Sequence, residues 1–246
     1  MHTSLWFKIW NALNYIYGFL QFGSMLKLRS FKGAYKGKRC FIVGNGPSLH
    51  AEDLRQIYER GEFIFACNSL IKLFEEIGFE PSFYFAQDNK IILDNKESIE
   101  NYKGVKFIKA HYAKRYHLND AIYYNMLYNP RGFSSNLPLV VYSGQTVTYS
   151  MIQFAAYMGF SEIYLIGVDC NYSPKNNTIS ADSYFDARLY NNGREYSAPE
   201  VDTNLIAYDC ARTACEQKGV KIFNASRGGK LEIFPRISFD EVMSSK

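Results

Sequence analysis

The stretch Arg39-Cys40-Phe41-Ile42-Val43-Gly44-Asn45-Gly46-Pro47-Ser48-Leu49 organises the chain. A short apolar run, Cys40 to Val43, stops at Gly-Asn-Gly-Pro-Ser, and an acidic, amphipathic segment from Ala51 to Tyr58 follows. That order spells strand, tight turn, helix. Glycines at 44 and 46 permit positive φ and close backbone approach, while Pro47 and Ser48 suit the first turn of a helix whose N–H groups point back at the loop. Such a turn can hold a phosphate. It is equally the shape of an ordinary β-α connection, because a short glycine loop is a weak signal.

Toward the N-terminus the pattern changes. From Ser4 to Phe22, the large apolar residues Leu5, Trp6, Ile9, Trp10, Leu13, Ile16, Tyr17 and Leu20 recur at spacings of three and four, one face of a helix. The segment is too polar and too short for a bilayer span, which needs about 20 mostly apolar residues. With Lys27, Arg29, Lys32, Lys36, Lys38 and Arg39 behind it, it suits an interfacial helix on anionic lipid, or a helix docking on the domain or on a second subunit. Residues 1–39 hold seven Lys/Arg and no acid, which leaves 21 basic against 24 acidic side chains in the remainder. The positive charge is therefore local, and nucleic acid is a poor partner for the body of the chain.

Toward the C-terminus, strands and helices alternate. Phe63 to Cys67 and Ser82 to Ala86 read as buried strands ending at Asn68-Ser69 and Gln87-Asp88-Asn89, with a helix from Leu70 to Ile77 between them. Val105 to Ala110 reads as a further strand. The tract from His111 to Asn136 shows no period and reads as an excursion over the sheet; His111 and His117 within it have no ligand-spaced partner, so surface or packing roles are favoured over metal binding. A helix over Gln145 to Gly159 follows Ser143-Gly144, then a strand from Glu162 ending in Gly167-Val168-Asp169. Residues 170–202 are polar, aromatic and asparagine-rich, suited to a flap. A helix from about Asn204 to Lys218 leads to a last strand, Val220 to Asn224. In an open parallel sheet, ligands bind outside the carboxyl ends of the strands, so Asn45, Asn68, Gln87, Asp88 and Asp169 are expected to converge, although each also suits a cap or turn.

The chain is 246 residues long and 47% hydrophobic, enough for a substantial core. Its five cysteines lack paired metal spacing, and nothing at the N-terminus reads as a cleavable signal; free, mostly buried thiols in a reducing cytoplasm are expected. The economical architecture is one α/β, Rossmann-like domain over residues 36–246 with a mostly parallel sheet, carrying an N-terminal amphipathic appendage over 1–35.

Four motifs in order, Phe41-Ile-Val-Gly-Asn-Gly-Pro-Ser-Leu49, Cys67-Asn68, Ser143-Gly144 and Glu162-Ile-Tyr-Leu-Ile-Gly-Val-Asp169, resemble two related families. One is the 6-hydroxymethylpterin pyrophosphokinase-like family of surface-polysaccharide loci, which the closing Ile222-Phe-Asn-Ala-Ser226 resembles more. The other is the bacterial lipooligosaccharide sialyltransferases, CMP-sialic acid enzymes with a variant GT-A fold. The resemblance implies a nucleotide-sugar glycosyltransferase acting on a cell-surface or lipid-linked glycan, in the cytoplasm or on the inner face of the cytoplasmic membrane. It implies that Gly44, Asn45, Gly46, Pro47 and Ser48 line the nucleotide with Asn68, and that Ser143 and Gly144 sit against the donor. Tyr172 and Tyr184 match the tyrosines that hold the departing phosphate. The histidine base of those sialyltransferases is missing, since no histidine follows His117. Asp202 falls near its place, with Glu200 and Asp169 as rivals.

The mechanism so implied is inverting displacement at an anomeric carbon. No Asp-x-Asp metal motif is present, so metal independence and no cofactor are expected, with backbone N–H groups at Gly44 to Ser48 and tyrosine hydroxyls stabilising the leaving group. Two rivals stand beside it. A pterin pyrophosphokinase would use ATP and Mg²⁺ held by Asp88 and Asp169, with Arg227 or Lys230 on phosphate. A non-catalytic member would bind nucleotide as a scaffold in polysaccharide assembly.

Overall fold

The structure is a computed structural model and describes residues 22–116, 118–171, 184–186 and 200–245. The amphipathic stretch from Ser4 lies outside the described residues except for Phe22, as do His117, Tyr172 and most of the 170–202 flap. In chain order the elements are α1 (Phe22–Ser30), β1 (Arg39–Val43), α2 (Ala51–Glu59), β2 (Phe63–Cys67), α3 (Leu70–Ile77), β3 (Phe83–Ala86), α4 (Asn89–Asp94), α5 (Lys96–Asn101) and β4 (Val105–Lys109). Then come α6 (Ala113–Tyr116), β5 (Ile122–Tyr124), β6 (Met126–Tyr128), β7 (Val141–Ser143), α7 (Val147–Met158), β8 (Glu162–Ile166), α8 (Val201–Glu216), β9 (Lys221–Asn224) and α9 (Phe239–Ser244).

Seven strands form one sheet in the order β5-β4-β3-β2-β1-β8-β9, and every pairing in it is parallel. The fold is α/β and Rossmann-like. Its strands are short apolar runs, four consecutive residues of β1, β2, β3, β4 and β8 being buried, because helices cover both faces. On one face α7 lies over a row of rings: Phe85 is 4.9 Å from Phe107 and 4.9 Å from Phe154, and Phe107 is 4.7 Å from Phe154. Each fully buried phenylalanine contributes about 1.5–3 kcal/mol. On the other face α2 and α3 bury Leu54, Ile57, Leu70 and Phe74 against Phe41, Val43, Ile64 and Ala66. The two helices α3 and α7 stop where the glycine signals place their ends, at Gly78 and Gly159.

The tract from His111 to Asn136, read as an excursion, instead supplies the edge strand β5 and the small strand β6, which pairs with β7 in a separate two-stranded parallel sheet. Strands of three residues are too short to show a period. Helix α1 docks on this edge: Leu28 is buried, and the Tyr123 N–H donates to Ser24 Oγ at 3.0 Å. Among the described residues no helix is long and apolar enough to cross a membrane. Cys40, Cys67 and Cys215 are buried free thiols, and Cys170 and Cys210 are half-buried ones.

Candidate functional site

The strand order reverses between β1 and β8, so the polar turns after these strands face each other at the carboxyl edge of the sheet. The two turns are locked together. Gly44 N–H donates to Ile166 O at 2.8 Å, Gly46 N–H to Gly167 O at 2.8 Å, and Ser48 N–H to Asp169 Oδ2 at 2.9 Å, while the Ser48 hydroxyl donates to Asp169 Oδ1. Asp169 is only 6% exposed, and its own carbonyl accepts from Lys230 N–H at 2.6 Å.

This corrects three expectations about the turn. Gly44 and Gly46 do not have positive φ; they are glycines because a Cβ at 44 would stand 2.3 Å from Gly167 O and one at 46 would stand 2.6 Å from Asp169 Cγ. The N–H groups of Gly44, Gly46 and Ser48, expected to cradle a phosphate, are instead spent on the β8 turn. Pro47 and Ser48 precede the helix rather than open it, since α2 begins at Ala51 after His50.

The remaining predicted residues follow along the same edge. Asn45 Nδ2 donates to Cys67 Sγ at 3.2 Å, and burial pushes that thiol up to about 12, the Asn45 bond acting against the shift. Asn68 adopts φ 56°, its N–H donates to Phe85 O at 3.1 Å, and its carbonyl accepts from Tyr84 OH at 2.8 Å. Its side-chain amide makes no hydrogen bond to another described residue. Gln87 Oε1 accepts from Ser150 Oγ at 2.9 Å and Tyr124 OH at 3.3 Å. Asp88 is exposed and caps α4, its Oδ1 accepting from the N–H groups of Lys90 and Ile91 at 2.8 and 3.2 Å. Arg227, one of the two phosphate ligands offered by the kinase reading, instead holds Asp53 through two hydrogen bonds of 2.8 Å and reaches Asp240 at 2.9 Å.

Ser143 ends β7 and Gly144 follows it, ahead of α7, where a Cβ on Gly144 would stand 2.2 Å from Ala207 Cβ on α8. Gln145 adopts φ 60°, its N–H donates to Ser143 Oγ at 3.2 Å, and its Nε2 donates to Glu200 Oε2 at 2.9 Å. Thr203 Oγ1 donates to the same oxygen at 3.0 Å. Asp202, in the first turn of α8, is exposed and makes no hydrogen bond or ion pair to another described residue. The described piece of the flap reaches the turn: Phe185 N–H donates to Asn45 O at 2.7 Å, and Tyr184 packs half-buried on the α2 side of the core.

Several residues at this edge escaped sequence reasoning. Tyr124 and Ser150 orient Gln87, yet they lie on a three-residue strand and inside a helix that read as core. Lys109, the last residue of β4, is 6% exposed, and burial pulls its ammonium down to about 8, Asp88 acting against the shift. A lysine closing an apolar strand was the available signal.

A Rossmann-like α/β domain with its polar turns gathered at a strand-order reversal defines a class built to bind ligands at the carboxyl edge of the sheet. The chain belongs to the family described as 6-hydroxymethylpterin diphosphokinase MptE-like, whose model matches residues 18–175. Among solved structures it is similar to the MAf glycosyltransferase from Magnetospirillum magneticum AMB-1, with a TM-score of 0.57 and 18% identity over 88% of this chain. That match covers 38% of the Magnetospirillum protein, so the chain spans about two fifths of its length. The sialyltransferase CstII from Campylobacter jejuni in complex with cytidine-5'-monophosphate matches with a TM-score of 0.48 and 18% identity, over 82% of this chain and 86% of that one. No curated protein matches the chain in sequence.

Proposed function

We propose that the protein is a nucleotide-sugar glycosyltransferase, moving a sugar, a nonulosonate from a CMP donor in the narrowest form of the reading, to a cell-surface or lipid-linked glycan. The observation that carries the reading is the row Asn45, Asn68 and Gln87 on three successive strand ends, with the flap bonded to Asn45 O at 2.7 Å and the Ser143-Gly144 turn tied to Glu200. The likeness of the fold to a glycosyltransferase supports it. Side-chain amides, rather than the N–H groups of the locked turn, contact the nucleotide. Tyr184, with Tyr172, steadies the leaving phosphate, so the reaction runs without a metal and proceeds in EDTA.

Asp202 takes the proton of the acceptor hydroxyl. Of the three acids considered, Asp169 is committed to Ser48 and Glu200 to Gln145 and Thr203, whereas Asp202 is exposed on the helix beside the donor turn. Asp202→Asn is expected to slow transfer about 100-fold with nucleotide binding intact, the lower end of what a general base contributes. Wild-type turnover in this variant would transfer the role to another acid. Basic residues 27–39 hold the enzyme at the inner face of the membrane, near a lipid-linked acceptor.

The family description favours a second reading, a pterin pyrophosphokinase using ATP and Mg²⁺. Titration with CMP, UDP, GDP and ATP-Mg²⁺ separates the two, because a ligand that binds the folded state raises its unfolding midpoint. CMP is expected to give the largest rise. A response to ATP-Mg²⁺ alone would replace the transferase with the kinase.

A further inference from the structure

Among the described residues, three buried side-chain oxygens accept no hydrogen bond: Asn95 Oδ1, Asn125 Oδ1 and Asn204 Oδ1. The fold uses the first two amides through their nitrogens. Asn95 Nδ2 donates to Ile91 O at 2.7 Å and to Ser69 Oγ at 3.3 Å, and Asn125 Nδ2 donates to Leu139 O at 3.3 Å. Asn204 has no such anchor: it is 2% exposed, its Oδ1 has no partner, and its Nδ2 donates to no other described residue. Its main chain alone is engaged, the N–H donating to Glu200 O at 2.9 Å in the first turn of α8. An amide withdrawn from water without a partner weakens the fold, so its presence calls for a use.

Glu200, Asn204, Ala207 and Tyr208 fall on one stripe along α8 and its cap. The other three all meet the turn between β7 and α7. Gln145 Nε2 donates to Glu200 Oε2 at 2.9 Å, the Ala207 methyl fills the place where Gly144 has no side chain, and the Tyr208 and Thr146 hydroxyls are 3.4 Å apart. Asn204, between Glu200 and Ala207, therefore faces that turn. The Glu200 carboxylate bonds Gln145 and Thr203 and not Asn204. Gln145 within the turn holds φ 60°, a conformation rare outside glycine. Backbone strain and unpaired buried polar groups gather where ligands bind.

We propose that Asn204 is a binding residue for a pair of neighbouring hydroxyls, one donating to Oδ1 and the other accepting from Nδ2. An amide carries no charge, and Glu200 and Asp202 in the same turn disfavour a phosphate or a carboxylate, so the hydroxyls belong to the ribose of the nucleotide or to a sugar ring. The inference rests on the nucleotide-sugar reading above and deepens it, since the Ser143-Gly144 turn is where that reading seats the donor. The Gln145–Glu200 hydrogen bond, exposed to solvent and so easily exchanged for water, is the gate through which the ligand reaches the amide.

The test compares the unfolding midpoints of wild type and Asn204→Leu, which keeps the shape of the side chain and removes both polar ends. Without ligand, Asn204→Leu is expected to melt about 3 °C higher, because an unpaired amide has left the interior. CMP at tenfold its dissociation constant is expected to raise the wild-type midpoint by about 3 °C, and the same concentration of 2′,3′-dideoxy-CMP, which lacks the diol, by about 1 °C. In Asn204→Leu both nucleotides give about 1 °C. N-acetylneuraminate and N-acetylglucosamine are titrated in parallel. Ribose recognition leaves their effect equal in the two proteins, whereas a sugar response lost in Asn204→Leu with the CMP response kept assigns the hydroxyls to the sugar.

An Asn204→Leu protein that melts below wild type, or does not fold, shows that the amide serves the fold and overturns the assignment. One that answers every probe as wild type does also overturns it, and leaves the nucleotide-sugar reading in place. If a sugar binds through Asn204 while CMP has no effect on wild type, the residue stands and the nucleotide-sugar reading fails; if no probe stabilises wild type, both fall.

Discussion

Alanine at position 44 is expected to lower the unfolding midpoint by about 6–12 °C and to abolish stabilisation by CMP. The added Cβ would stand 2.3 Å from Gly167 O and 2.8 Å from Gly167 C, both backbone atoms, and 2.9 Å from a Val168 methyl. A flexible side chain could swing aside, but these neighbours cannot move without parting the β1 and β8 turns. Overpacking costs about 1–3 kcal/mol, and each weakened bond between the turns adds about 1 kcal/mol. A loss of about 3 kcal/mol corresponds to the stated drop for a chain of this size. Gly23→Ala is the control: nothing lies within 4 Å of its Cβ, and it sits in α1, where alanine is the better residue. A Gly44→Ala protein that melts within 2 °C of wild type would mean that the two turns are not locked.

The second large effect is at Asp169. Its carboxylate receives both the N–H and the hydroxyl of Ser48, so Asp169→Asn removes the charge that strengthens both bonds. Charge-assisted hydrogen bonds contribute about 1.5–3 kcal/mol each, and the exchange replaces both with neutral ones, the Ser48 hydroxyl turning to accept from the amide. A destabilisation of about 3 kcal/mol is expected, accompanied by weaker nucleotide binding. Ser48→Ala removes the hydroxyl half of the same clamp, so the double variant should be less destabilised than the sum of the singles. This separates a positioning role from a chemical one. If Asp169→Asn melts like wild type yet has no transfer activity, Asp169 is the base and Asp202 is not.

Much of this architecture was legible because parallel strands buried on both faces write themselves as short, continuous apolar runs. Phe63 to Cys67 and Glu162 to Ile166 needed no tertiary information, and the polar residue after each such run marked the carboxyl edge. The edge strand Ile122–Tyr124 was not legible, since three residues carry no period and two of them are tyrosines. The clamp between Ser48 and Asp169 was hidden for another reason. Both residues were singled out for chemistry, but that they spend their polar groups on each other depends on a strand pairing between distant segments. Lys109 was passed over because a lysine at the end of a strand ordinarily reaches solvent, whereas this one is 6% exposed, with its Nζ 5.6 Å from the centroid of the Tyr112 ring.

The strand order also sets a schedule for synthesis. Strands β1 to β5 neighbour one another in sequence order, so that half of the sheet can assemble as the chain emerges. The turn after β1 cannot, because Ser48 waits for a partner 121 residues further on. Closing so long a loop is slow. A ribosome-bound chain halted before β8 would therefore carry a nearly complete hydrophobic half-sheet with an unset turn, and competence to bind a ligand would be acquired late and in one step.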